Sequence, residues 1–152
     1  MWYGTMNYFS PEMNVQDVNK ISMLGLAHIG DAVYELLIRT MLCSKGHSNV
    51  TQLHNLTVSY VKAPAQAKAM EKILPRLTEE ENVIFKRGRN THVHSVPHNA
   101  AVSEYHTATG LEALFGWLYL QGKRERIQEL FAVIMEDEDH ASCCNMYICA
   151  ER

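Results

Sequence analysis

Two carboxylates interrupt segments of this chain that are otherwise apolar, and any fold it adopts must find each of them a partner. Asp31 lies within Leu26-Ala27-His28-Ile29-Gly30-Asp31-Ala32-Val33-Tyr34-Glu35-Leu36-Leu37-Ile38, and Glu112 within Thr109-Gly110-Leu111-Glu112-Ala113-Leu114-Phe115-Gly116-Trp117-Leu118-Tyr119-Leu120. Acids are rarely buried unpaired, because stripping water from a charge is costly. Small residues sit one helical turn away, Ala27 before Asp31 and Ala108 and Gly116 on either side of Glu112. Both acids therefore lie on stripes along which two helices can pack closely. If the stripes face each other the carboxylates meet, and they repel unless one is protonated or a cation lies between them.

A hard divalent cation with oxygen ligands is the natural occupant of such a pair. Magnesium commonly takes only one or two carboxylates and completes its octahedron with waters and phosphate oxygens. That chemistry suits phosphodiester hydrolysis, in which a metal-bound water attacks in line. The alternative is structural: each acid pairs with a basic residue such as Arg39 or Lys62, or caps a neighbouring helix. Glu35 is expected to be structural, since Arg39 at i+4 is an obvious ion-pair partner.

The remaining pattern is helical throughout. Apolar residues recur at helical spacing from about Gln16 to Leu42, which predicts one long helix or two joined near Gly25 or Gly30. Ser44-Lys45-Gly46 supplies a stop. Asn49 is a plausible N-cap for a helix through Val61, and Ala63 to Leu74 reads as an alanine-rich helix with Pro64 in its first turn and Pro75 ending it. Thr78-Glu79-Glu80-Glu81 is a capping box opening a helix to about Arg87. Gly88 to Asn99 reads as an exposed loop, followed by helices from about Ser103 to Gln121 and from about Lys123 to Met135. The fold class expected is an all-α bundle, divided into an irregular lead-in over residues 1–15, with Trp2 or Phe9 as the candidates to dock it, a domain over 16–138 and a tail over 139–152.

At 152 residues with 47% apolar content, the chain suits one domain with a core of its own. A membrane span and a signal peptide are not expected, which favours a cytoplasmic location. Cys43 stands alone while Cys143, Cys144 and Cys149 crowd the C-terminus with His140 nearby, so reduced thiols are expected, and adjacent cysteines do not match the spacing of a zinc knuckle. The net charge of −3 confines any RNA contact to a local patch. The stretch from Lys86 to His106 fits that role, with Lys86, Arg87 and Arg89 against Glu104 alone, together with His92, His94 and His98. A His-x-His pair in such a loop is weak evidence for a soft metal site.

At the two acid-bearing helices the sequence resembles the ribonuclease III family. Gly30-Asp31-Ala32-Val33-Tyr34-Glu35 and Glu112-Ala113-Leu114-Phe115-Gly116-Trp117-Leu118-Tyr119-Leu120 resemble its two signature helices, and Arg87-Gly88-Arg89-Asn90 between them resembles a motif of the mini-ribonuclease III branch. The resemblance covers roughly Ile21 to Met135. It implies a homodimeric all-helical nuclease that cleaves both strands of an RNA duplex with one magnesium site per subunit. Asp31 and Glu112 then match the family's metal-binding catalytic acids, and Lys86, Arg87, Arg89 and Asn90 become phosphate contacts. Further acids of the full-length enzymes are replaced here by Leu24, Ala27 and Thr109, which implies a wetter site with weaker metal binding. His28 and His106 stand where the branch often has tyrosine and arginine. Only about 17 residues follow Met135, too few for a double-stranded RNA-binding domain. The branch matures the ends of the large ribosomal subunit's 23S RNA, sometimes helped by a ribosomal protein. Two other readings compete: a catalytically silent RNA-binding or ribosome-associated member of the fold, and a helical protein-interaction module.

Overall fold

A computed structural model describes residues 6–91 and 101–148, with side chains described as far as Glu136. The described residues form seven α-helices and no strand: α1 (Val15–Val18), α2 (Met23–Ser44), α3 (Val50–Val61), α4 (Ala63–Ile73), α5 (Glu79–Arg89), α6 (Val102–Leu120) and α7 (Arg124–Ile148), with a short 3-10 turn at Leu74–Arg76. None of the described helices is long and apolar enough to cross a membrane.

Local chemistry sets most helix ends. Ser22, Asn49 and Thr78 accept from the backbone N–H of Gly25, Gln52 and Glu81 in turn, and Glu81 completes the capping box by accepting from the Thr78 N–H. Gly122 turns the chain between α6 and α7 at φ 71°, in the left-handed region that glycine enters without a Cβ clash.

The first apolar run departs from expectation. It breaks at Asn19–Ser22 rather than near Gly25 or Gly30, because Ser22 caps α2 while Asn19 ends α1. The last helix continues past Met135 to Ile148, into the segment expected as a tail, since neither glycine nor proline follows Gly122 to stop it. The lead-in docks through backbone rather than through Phe9, whose side chain is 88% exposed: the Met13 N–H donates to the Leu120 carbonyl, and the Tyr119 hydroxyl to that of Tyr8. Trp2 lies outside the described residues.

Helix α6 is the axis of the bundle. Apolar side chains on all its faces are buried, among them Leu111, Leu114, Phe115 and Leu118, as its neighbours α2, α4, α5 and α7 require. Two glycine crossings fix its partners. A Cβ at Gly30 would lie 1.6 Å from the Glu112 carbonyl oxygen, and one at Gly116 2.0 Å from that of Leu26, so α2 and α6 touch backbone to backbone. A Cβ at Gly88 would lie 2.8 Å from the Ala113 Cβ, and one at Gly110 2.7 Å from the Phe85 ring, which seats α5 on the same helix. Arg126 clamps the far side, its guanidinium bonding the buried Glu81 carboxylate at 2.9 and 3.0 Å and the Arg76 carbonyl at 2.7 Å.

Gly30→Ala is expected to destabilise the protein by more than ~3 kcal/mol, lowering Tm by roughly 10 °C, because backbone cannot yield as a side chain can. Gly46→Ala, in open space at φ 87°, is expected to cost only about 1 kcal/mol. Thermal unfolding followed by circular dichroism checks both, and equal losses would contradict the close crossing.

Candidate active site

The crossing of α2 and α6 brings the two sequence-predicted acids together. Gly30 touches the backbone of Glu112, so Asp31, the next residue on α2, stands beside the Glu112 side chain. Asp31 is exposed at the rim, and Glu112 lies half-buried behind it. Among the described residues no basic side chain forms an ion pair with either acid: Arg39 is taken by Glu35, its Nε 2.8 Å from Oε1. The structural alternative of an arginine or lysine partner is therefore not what the fold provides.

Unpaired acids at such a crossing hold on to their protons. Burial, then the Asp31 charge, pushes the Glu112 carboxyl up to about 7, against a small lowering from Gln66. Asp31 is raised as well, first by partial burial and then by Glu35, with His28 acting in the opposite direction.

Gln66 is a site residue that the sequence reading missed. It lies on the buried face of α4 with Met70 and Ile73, is 0% exposed, and places its amide beside the Glu112 carboxyl. The two interact without forming a hydrogen bond of full geometry, and neither Nε2 nor Oε1 of Gln66 has any hydrogen-bond partner. The signal was present as a glutamine at i, i+4, i+7 spacing with Met70 and Ile73 on an alanine-rich helix.

The basic residues occupy the last turn of α5. Lys86, Arg87 and Arg89 are helical and exposed and Asn90 is the C-cap, so Gly88 and Arg89 belong to the helix rather than to the expected loop. Gly88 is there to pack on α6, not to break α5. Cations at a helix C-terminus are favoured by its dipole, and the Arg89 guanidinium also lies 5.6 Å from the Phe85 ring centroid. The contact of Gly88 with Gly110 and Ala113 seats this basic end on the part of α6 that carries Glu112. Of the residues that replace further acids of the full-length enzymes, Thr109 is buried with its hydroxyl donating to the Tyr105 carbonyl, Ala27 is buried, and Leu24 is exposed. His92, His94 and His98 lie outside the described residues, as do the side chains of His140, Cys143, Cys144 and Cys149.

An all-helical domain whose central helix carries one acid against a second on its neighbour is what known proteins can now be set beside. Residues 24–123 match the family model of the Ribonuclease III domain. The chain is 39% identical over 145 residues to the mini-ribonuclease 3 of Clostridium tetani, covering 89% of this chain and 96% of that relative. It is 44% identical over 118 residues to the Enterococcus faecalis mini-ribonuclease 3, covering 76% and 89%. A crystal structure of a Fusobacterium nucleatum protein superposes with a TM-score of 0.72 at 36% identity, covering 80% of this chain and 98% of that one. The chain belongs to the ribonuclease III family, a family of endoribonuclease hydrolases, and its similarity to the mini-ribonuclease 3 proteins extends over most of its length.

The raised Glu112 pKa links stability to pH. A carboxyl whose folded pKa lies above its unfolded value of 4.5 favours folding when protonated, and that advantage disappears as pH rises through about 7. Glu112→Gln, uncharged throughout, is therefore expected to match wild type near pH 4.5 and to exceed it increasingly up to pH 8, by on the order of 3 kcal/mol. Urea unfolding in EDTA across that range checks this, and a difference independent of pH would contradict it.

Proposed function

We propose that this protein hydrolyses double-stranded RNA with Mg²⁺ held by Asp31 and Glu112, acting on the ends of precursor 23S ribosomal RNA. The observation that carries this reading is the meeting of two acids without a cationic side-chain partner at a crossing built from glycines. The residues fit the metal: two hard oxygen donors, one facing solvent, suit an ion that takes few carboxylates and keeps several waters. Among the described residues no group of three or more histidines, cysteines or acids is placed to hold a metal, which favours a water-rich magnesium site over a closed zinc site.

Bound there, Mg²⁺ supplies a water of lowered pKa and positive charge against the phosphate. The chain's own part is positional. Asp31 and Glu112 are fixed by backbones that cannot slide without a clash, so both carboxylates are held in place before substrate arrives. Burial raises the proton affinity of Glu112, and a bound cation would compete with that proton for the same carboxylate. Glu35 and Arg39 hold each other one turn further along α2 and support Asp31 rather than contact RNA. Lys86, Arg87, Arg89 and Asn90 reach duplex phosphates, since A-form RNA is read through shape, phosphates and 2′-hydroxyls.

A homodimer, with the basic ends of both α5 helices lining one groove, supplies affinity for the duplex. The catalytic unit spans residues 16–138, with 1–15 as lead-in and 139–152 as an appendage. The protein works in the cytoplasm, where a ribosomal protein on the precursor RNA assists it.

Cleavage of a long RNA duplex at low salt tests this reading. Wild type is expected to cut with Mg²⁺ and not with EDTA, and Asp31→Asn and Glu112→Gln each to lose at least ~100-fold in rate. Binding without cleavage by wild type would replace it with the silent RNA-binding reading. Arg87→Ala and Arg89→Ala are each expected to weaken duplex binding uniformly across sequences and to reduce the log–log salt slope by about 1. An unchanged slope in a filter-binding titration would remove these residues from the interface.

A further inference from the structure

Resting on that reading of the acid pair, we infer that Gln66 is a positioning residue of the metal centre: its amide holds the Glu112 carboxylate in place beside Asp31. Gln66 comes from α4, a third element beyond the two helices that carry the acids, and it packs against α6 from its own side. It is one of the few buried polar residues of the core, the others described being Thr57, Glu81 and Thr109. Each of those three is satisfied: Thr57 donates to the Leu53 carbonyl, Thr109 to that of Tyr105, and Glu81 is bound by Arg126 and the Thr78 N–H. Gln66 alone among them has both polar atoms unpartnered, although it is fully enclosed.

A buried primary amide can donate twice and accept, and leaving all of this unmade is costly. Leucine or methionine would fill the same place on α4 at no such cost. The amide is not randomly placed, for the group it faces is Glu112. An Nε2–H donor beside a Glu112 carboxylate would form a charge-assisted bond to one of its oxygens and leave the other free for a metal. Outer partners of this kind orient a ligand and tune its affinity for the ion.

The test uses the full chain, with Mn²⁺ as a paramagnetic probe of the site and calorimetric titration as the readout. Wild type is expected to bind Mn²⁺ and Asp31→Asn to lose binding. Gln66→Met is expected to bind about tenfold more weakly while its thermal stability in EDTA equals or exceeds that of wild type. Equal Mn²⁺ affinity in Gln66→Met and wild type, with or without a loss of stability, would overturn the inference and leave Gln66 a core residue. Failure of wild type itself to bind Mn²⁺ would overturn the metal-site reading, and the inference with it.

A measurement that leaves Gln66 in place guards against misfolding of the Gln66 variant. The Gln66 side-chain amide resonance is expected to shift on addition of Mg²⁺ to wild type and to stay fixed in Asp31→Asn. A Gln66 resonance unmoved by Mg²⁺, under conditions where Asp31 and Glu112 respond, would overturn the positioning role.

Discussion

The rest of this structure depends on the backbone contact between α2 and α6. Gly30 and Gly116 oppose each other's helices with no side chain between them, so main-chain atoms set both the spacing and the register of the two helices. Close packing usually leaves helices some freedom to adjust through rotamers. Here a shift of either helix drives backbone into backbone. The register in turn decides that Asp31 and Glu112 are neighbours.

That arrangement opposes stability in the free protein. Two carboxylates are brought side by side, one of them half-buried, and the fold answers by keeping a proton on Glu112 rather than supplying a cation from its own side chains. Elsewhere the same protein does pair its charges: Glu81 with Arg126, Glu35 with Arg39 and Asp17 with Lys20. The contrast is informative, because a bundle able to pair those acids gives this pair no cationic side chain and leaves the Gln66 amide beside it without a hydrogen-bond partner. Neighbouring acids with raised pKa values and no cationic partner are a common signature of a site kept for chemistry.

The charge distribution follows the same division. An acidic chain gathers three of its cations, Lys86, Arg87 and Arg89, on the last turn of α5, and the Gly88 contact fixes that turn to the helix bearing Glu112. The glycine that looked like the start of a loop is the means by which the basic end is held against α6. Cations and acids are thus positioned by one central helix and two glycine crossings.

What the sequence determined by itself was local. Helix spans, the caps at Asn49 and Thr78, the left-handed turn at Gly122 and the oddness of Asp31 and Glu112 in apolar surroundings all follow from spacing and side-chain chemistry within a turn or two. The break at Asn19–Ser22 was less legible, since apolar spacing ran on across it and only the Ser22 cap chose the boundary. The tertiary structure alone decided which glycines were turns and which were contacts, that the two acids share one place, and that Gln66 from a third helix faces them. The reason is physical: propensity and capping act over a few residues, whereas a backbone crossing and a buried amide acquire meaning only from atoms about 50 to 85 positions away in the chain.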